Sequence, residues 1–366
     1  MTRPEAPVDL RALARPELEA LAAELGERPF RGRQIHRWLH RRGAATIDEM
    51  TDLPAPLRRA LAAAAPLRTL AIDATQESAD GTIKYRLRTD DGKLLESVFM
   101  PEPSRRTLCV STQVGCAMGC AFCRTATMGL VRNLGAGEIV DQVYRVNRDL
   151  VSRGFPKTTE ADRVLSNLVF MGMGEPLHNL DEVVRALDLL QDPEGLGFSH
   201  RHVTVSTSGL VPEIAEFGRR TQVKLAISLN APSDAKRERI MPVNRKYPID
   251  ELVAACRAFP QKQGRRLTFE YVLLGGVNDG DRDADELAGL CLRASVKVNL
   301  IAYNENPGLG FRSPAPERVA AFQARLVEAG VTATLRKNRG RDIAGACGQL
   351  AVEGMRRPVA LRASAL

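Results

Sequence analysis

Three cysteines in one short segment, Cys116, Cys120 and Cys123, have the types and spacing to act together. The segment reads V-G-C-A-M-G-C-A-F-C-R-T-A, a C-x3-C-x2-C pattern. Three thiolates in a compact loop can ligate three irons of a [4Fe–4S] cluster, which ordinarily takes four cysteines. A missing fourth ligand leaves one iron open to a small molecule. The flanks agree with this. Gly115 and Gly119 let the backbone fold tightly, Phe122 can shield a cluster from water, and Lys, Asp and Glu are absent from 115–123. The residues alone leave two other readings open. A C-x2-C pair with Cys109 nearby also suits zinc, and thiols can pair as disulfides.

An open iron is the arrangement of radical S-adenosylmethionine (SAM) chemistry, where SAM's amino and carboxylate groups take the vacant position. Other polar segments fall just past predicted strands. M-G-M-G-E-P brings Gly174 and Glu175, whose carboxylate can receive a cationic amino group. S-T-S-G begins at Ser206, S-L-N spans Ser228, Leu229 and Asn230, and A-Y-N-E-N-P carries Asn304. Each is weak alone, but on successive strands they form a polar ring suited to a zwitterion with a ribose. Cys109 lies in the strand before the cluster loop, an odd place for a surface thiol. Cys347 sits in R-K-N-R-G-R-D-I-A-G-A-C-G-Q-L, whose glycines and arginines suggest a mobile loop near phosphate and a reactive thiolate. Cys256 and Cys291 lie in helical patterns among apolar residues and read as small core residues.

The elements that must position these groups are legible from periodicity. Helices are expected at 15–25, 31–42 and 57–64, a small helical unit over 1–66. Its stretch 28–42 carries six arginines, two histidines and no acid, which fits a phosphate-binding face or an ordinary solvated one. His36 and His40, four apart, are expected to face RNA or solvent rather than a metal. Residues 67–106 alternate as a β-hairpin extension and linker, with Asp90, Asp91 and Gly92 at the tip. From 107 to 355, strands at 107–112, 167–171, 202–206, 224–229, 267–273, 297–301 and 331–335 alternate with helices. Those helices are expected at 137–149, 180–190, 251–259, 283–294 and 315–329. The rhythm predicts an α/β fold, a parallel sheet closed into a partial (β/α) barrel with chemistry at the strands' carboxyl ends. A polar loop is expected at 154–162 and a tail at 356–366.

Composition bounds the rest. A chain of 366 residues with 44 % hydrophobic content supports a sizeable core. No run approaches a membrane span, and M-T-R-P-E-A-P has no apolar signal region. Seven cysteines are too few for a secreted disulfide scaffold and suit a reducing compartment, so a cytoplasmic location is expected. A formal charge of +8 fits a polyanionic partner or simply a basic protein.

From about residue 10 to 355 the chain resembles the RlmN family, the radical SAM enzymes that methylate C2 of an adenine in bacterial 23S ribosomal RNA. The resemblance rests on L-L-E-S-V at 94–98, T-L-C-V-S-T-Q-V-G-C-A-M-G-C-A-F-C at 107–123 and M-G-M-G-E-P-L at 171–177. It extends to V-T-V-S-T-S-G at 203–209 and R-G-R-D-I-A-G-A-C-G-Q-L at 339–350. It implies a [4Fe–4S] cluster on Cys116, Cys120 and Cys123. It also implies SAM contacts from Gly174, Glu175, Ser206, Ser228, Leu229, Asn230 and Asn304. Asn230 stands where many relatives have histidine.

The implied mechanism uses two SAM molecules per turnover. The Cys347 thiolate takes a methyl group from one, a radical made from the second removes hydrogen from that methyl, and the carbon radical adds to C2. Cys109 then attacks the Cys347 sulfur, and the transient disulfide releases the methylated base. Glu96 matches the family's proton acceptor for C2. The resemblance also implies transfer RNA as a second substrate, a flavodoxin-type electron donor and a monomer. Arginines 31, 33, 37, 41 and 42, with the basic loop at 336–341, are the expected RNA backbone contacts. Competing readings are a C8-adenine methyltransferase of the same RNA, a structural-zinc RNA-binding protein and a radical SAM enzyme acting on a small metabolite.

Overall fold

A computed structural model describes residues 8–158, 163–260, 267–306 and 308–352. The loop expected at 154–162 lies partly outside these residues, and the tail at 356–366 wholly so.

The N-terminal helices are α1 (Arg15–Glu24), α2 (Pro29–His36) and α3 (Ala55–Ala64). A π-helical turn, Arg37–Arg41, prolongs α2. They enclose their own core of Leu10, Leu18, Ile35, Leu39, Met50, Leu57 and Leu61. His36 and His40 are fully buried, which corrects the expectation of an RNA-facing or solvated pair. The extra residue per turn in the π segment carries His40 towards the larger domain. There its Nε2 donates to Leu13 O at 2.9 Å and its Nδ1 accepts from the Tyr144 hydroxyl at 2.9 Å.

Strands β1 (Ala71–Glu77), β2 (Ile83–Arg88), β3 (Leu94–Glu102) and β4 (Arg105–Cys109) run antiparallel in sequence. The hairpin extension is thus no separate flap. It continues the main sheet, because β3 pairs with β4 and β4 pairs in parallel with β7 (Asn167–Phe170). Short strands β5 (Gln113–Gly115) and β6 (Leu130–Asn133) form a ribbon of their own. The parallel series runs on through β8 (Val203–Thr207), β9 (Lys224–Ser228), β10 (Thr268–Leu273), β11 (Lys297–Ala302) and β12 (Ala333–Arg336). The order β1-β2-β3-β4-β7-β8-β9-β10-β11-β12 has two unpaired edges, as an incomplete barrel requires.

Helices cover the convex face because their apolar stripes match it. They are α4 (Ala136–Ser152), α5 (Leu180–Gln191), α6 (Val211–Arg220), α7 (Asp234–Ile240), α8 (Ile249–Ala258), α9 (Asp281–Ala294) and α10 (Pro316–Glu328). Helix α4 buries Ile139, Val140, Val143, Val146 and Leu150 on one side. Its Gln142 stitches the helix to the chain leaving β4: Oε1 accepts from Ser111 N at 2.9 Å and from Ser97 Oγ at 2.8 Å, and Nε2 donates to Ser111 O at 2.8 Å. That bond set fixes the direction in which the chain leaves Cys109 and enters the cysteine loop.

Candidate active site

Residues 116–129 form the excursion between β5 and β6. Gly115 opens it with φ 77°, and a Cβ there would lie 1.8 Å from Gly129 O. Only glycine permits that approach, which lets Cys116 N donate to Gly129 O at 2.9 Å. Further along, Ala121 N donates to Ile240 O at 2.9 Å, and Phe122 packs with Ile240, Met241 and Tyr303. Phe122 is 8 % exposed, so it screens the loop as its position between two cysteines suggests.

The three thiols line one cavity. Burial pushes Cys116 up to about 12 and raises Cys120 and Cys123, and the sulfurs push one another further in the same direction. Such a trio is held as thiolates only by a strongly cationic partner. Among the described residues no three His, Cys, Asp or Glu side chains converge on a single metal ion. Cys109 stands against Cys347 instead, so a four-cysteine zinc site with Cys109 lacks its fourth ligand. Three thiols that line one cavity and act on one another electrostatically fit a multi-iron group.

The cavity measures about 990 Å3 with its open mouth and is walled by the carboxyl ends of successive strands. After β7, Gly174 adopts φ 103° with its Cα against Gln113, where a Cβ would come within 2.6 Å. Glu175 follows, buried, with Oε1 accepting from Leu177 N at 3.0 Å and Oε2 from Ser208 N at 2.7 Å. Burial nevertheless raises its pKa. Ser206 and Ser228 place their hydroxyls 3.3 Å apart on neighbouring strands. Asn230 has φ 57°, a left-handed conformation that asparagine tolerates well. Its Oδ1 accepts from Val272 N at 2.8 Å and its Nδ2 meets Met241 Sδ at 3.2 Å, so it braces the rim as well as lining the cavity.

Three candidates lie elsewhere. Leu229 is fully buried off the cavity wall, its N donating to Glu270 O and its O accepting from Arg237. Asn304 is also off the wall, 2 % exposed, its Oδ1 without a hydrogen-bond partner among the described residues. Glu96, in β3, lines neither cavity. Its carboxylate meets Lys84 Nζ at 3.4 Å and accepts from Ala351 N at 3.0 Å, and burial raises its pKa.

Cys109 and Cys347 line a second, smaller hollow with Met171 and Arg336. Burial, then Cys347, pushes the Cys109 thiol up to about 12, while Arg336 opposes the rise. Arg336 reaches both hollows, and Cys347 is the strongest influence that raises its own pKa. This corrects the grouping of Arg336 with the RNA-facing loop at 336–341: as the last residue of β12 it turns inward, beside Ile301 of β11. Glu270 was also missed. A carboxylate inside the apolar run L-T-F-E-Y-V-L was the available signal. In register it joins Ser228 on one side and Asn299 on the other, and Asn299 Nδ2 donates to its Oε1 at 2.9 Å. Its Oε2 has no hydrogen-bond partner among the described residues.

On the N-terminal unit, Arg33, Arg37, Arg41 and Arg42 are exposed. Arg33 pairs with Glu19 at 3.5 Å and Arg42 stacks 4.1 Å over Trp38. Arg31 is partly buried against Phe30 and Gln34. Among the described residues no helix is long and apolar enough to cross a membrane.

Comparison with known proteins agrees with this geometry. Residues 110–288 match the Radical SAM superfamily, and residues 8–67 match the ribosomal RNA large subunit methyltransferase N-terminal domain. The chain is 62 % identical over 346 residues to the dual-specificity RNA methyltransferase RlmN of Anaeromyxobacter dehalogenans (strain 2CP-C), covering 94 % of this chain and 92 % of that one. It is 49 % identical to RlmN of Geobacter sulfurreducens (strain ATCC 51573 / DSM 12127 / PCA), covering 94 % and 92 %. The crystal structure of a radical SAM methyltransferase from Sphaerobacter thermophilus superposes with a TM-score of 0.88 at 47 % identity, covering 94 % of this chain and 99 % of that one. The chain therefore belongs to the RlmN family of dual-specificity RNA methyltransferases, in the radical SAM superfamily whose chemistry uses a [4Fe–4S] cluster and SAM.

Proposed function

We propose that this chain methylates C2 of an adenine in 23S ribosomal RNA, and of one in a transfer RNA anticodon loop, through a methyl group carried on Cys347. The observation that carries the reading is the meeting of Cys109 and Cys347 in one hollow, with Arg336 and Cys347 also lining the cavity of the three clustered thiols. One sulfur can thus face both a SAM methyl and the second cysteine.

Cys116, Cys120 and Cys123 would hold the cluster, which when bound would supply the electron for reductive cleavage of SAM. Glu175 receives the amino group of SAM on its remaining lone pairs, and the Gly174 backbone allows the ligand close. Ser206, Ser228 and Asn230 bind its polar atoms, Leu229 shapes that wall from behind, and Asn304 reaches the ligand only by a change of its side-chain rotamer. The Cys347 thiolate attacks the SAM methyl, and S-adenosylhomocysteine leaves with the electron pair of the broken bond. Cys109 later attacks the Cys347 sulfur, the bond from that sulfur to the carbon now on C2 breaks with its electron pair leaving on the base, where a proton completes the methyl group, and the resulting disulfide is reduced by two electrons from the donor. Burial keeps Cys109 protonated until the RNA is joined to Cys347, and Arg336 favours the Cys109 anion. Glu96 accepts the C2 proton. Its raised affinity for protons suits a base, and to reach the substrate it must release the Ala351 amide.

Exposed Arg33, Arg37, Arg41 and Arg42 contact RNA phosphates, and the target adenine enters unstacked. A flavodoxin-type donor, a monomeric state and a cytoplasmic location complete the reading. The residues 1–66, 67–106 and 107–355 divide accordingly into RNA-binding, hairpin and catalytic parts.

The test is adduct trapping. Cys109→Ala should leave enzyme covalently joined to RNA through Cys347, whereas Cys347→Ala should form no adduct. A Cys109→Ala enzyme that turns over freely would sink the scheme. Mass analysis of the nucleoside distinguishes the C2 product from C8.

A further inference from the structure

Cys347 rides on a strap, 337–351, that crosses the open end of the sheet after β12. The strap is tied at both ends, and the tie before Cys347 is made by groups outside the cavity. Before Cys347, the turn between β1 and β2 grips it. Ser78 Oγ donates to Asp342 Oδ1 at 2.5 Å, Ala79 N donates to Asp342 Oδ2 at 3.3 Å, and Gly340 N donates to Asp80 Oδ2 at 3.1 Å. Gly340 lies so near Thr82 that a Cβ would come within 2.9 Å of its Cγ2. Beyond Cys347, the cysteine loop takes over: Arg124 N donates to Gly348 O at 2.8 Å, and Thr125 Oγ1 donates to Leu350 O at 2.6 Å.

Between these ties sits Ala344 with φ 49°, a conformation costly for alanine. A free strap would relax it. Its persistence shows that the ties, closed by Gly345 N donating to Gly340 O at 2.8 Å, over-determine the path. Nothing in the chemistry assigned to the cavity uses Ser78, Asp80 or Asp342.

We propose that the β1–β2 turn is a positioning element for Cys347: Ser78 and Asp80 fix the strap so that its thiol faces the SAM cavity and Cys109 together. The inference rests on the reading that Cys347 accepts the methyl group. Reaction geometry is unforgiving, and displacement of a reacting atom by about 1 Å costs on the order of 100-fold in rate. The antiparallel hairpin therefore matters to the chemistry although it lies outside the cavity.

The experiment uses cluster-loaded full-length Ser78→Ala, Asp80→Ala and the double variant, beside Asp80→Glu. Three quantities are measured: the rate of Cys347 methylation by SAM, read by intact mass; the rate of Cys109–Cys347 disulfide formation under diamide; and SAM affinity with iron per chain. Both rates should fall roughly 10- to 100-fold in the double variant while affinity and iron content stay within twofold, with partial rescue by Asp80→Glu. Wild-type rates in the double variant would overturn the inference, as would a parallel fall in iron and SAM affinity. Absence of methyl on Cys347 in the wild type would instead overturn the parent reading, and this one with it.

Discussion

Two buried polar regions lie within this chain, and they are finished differently. The seam between the N-terminal helices and the barrel centres on Asp141 and Arg11, both fully buried. Arg11 Nε meets Asp141 at 3.1 Å, Arg145 Nε meets it at 3.4 Å, and Asp141 Oδ2 accepts from Leu70 N at 2.6 Å. The Arg11 guanidinium also donates to Leu39 O and Ala44 O and lies 5.0 Å from the Tyr144 ring centre. On the cavity wall, by contrast, Glu270 Oε2 is buried with no hydrogen bond among the described residues, and Asn304 Oδ1, behind the wall, has none either. The seam balances its buried charges by ion pairing, although Arg11 Nε, Asp141 Oδ1 and Arg145 Nε lack aligned hydrogen bonds among the described residues, whereas the cavity wall leaves a carboxylate oxygen of Glu270 open to a ligand. The seam holds the arginine-bearing helices at a fixed place relative to the cavity. The cavity keeps its hydrogen-bonding capacity for what enters.

The contrast can be broken by substitution. Asp141→Ala leaves two guanidiniums buried beside no carboxylate and should cost about 3–5 kcal/mol in urea unfolding. Trp38, the chain's single tryptophan, lies in the N-terminal unit and reports it. A loss below about 1 kcal/mol would show the seam to be wetter than drawn.

A second test sharpens the seam through pH. His40 is held neutral with its pKa well below the usual value, by burial first and then by His36 and Arg11, although Leu13 O opposes this. The Tyr144 hydroxyl faces its other nitrogen. The unfolded chain takes up a proton near pH 6.5 that the folded chain refuses. Stability is therefore fully present above about pH 6.5 and declines below it, by up to about 1.4 kcal/mol per pH unit. His40→Gln should flatten that slope in unfolding curves between pH 5 and 7.

The smallest expected effect has the opposite sign. Burial raises the pKa of Glu270, so its ionised form opposes folding once pH rises above the ordinary carboxylate range. Glu270→Gln should leave stability at pH 7 unchanged or raise it by about 1 kcal/mol, while RNA methylation falls. A marked loss of stability would place Glu270 with the seam rather than with the ligand surface.

Local pattern carried much of this to the reader. The cysteine loop, strands β4 and β7 to β12, and helices α4, α5, α8, α9 and α10 all announce themselves through spacing, within a few residues, whereas the three- and four-residue strands β5 and β6 do not. Strand β1 does not, because A-I-D-A-T-Q-E is largely exposed at a sheet edge and lacks apolar alternation. Helix α7 is only seven residues long, too short for a period to show. His36 and His40 sit in an arginine-rich stretch that reads as solvated, yet the π turn and the neighbouring domain bury them.

The chain's covalent order determined what depends on neighbours in sequence: three thiols within one loop, glycine beside the first of them, a carboxylate after a glycine turn. Spacing along a backbone fixes these distances before any packing occurs. Tertiary structure alone decided which distant groups meet. Cys109 faces Cys347, Arg336 turns in between them, Asp141 takes Arg11 and Ser78 holds Asp342. Each of those contacts joins segments that only sheet order and burial bring together, and burial sets the charge that each group carries when they meet.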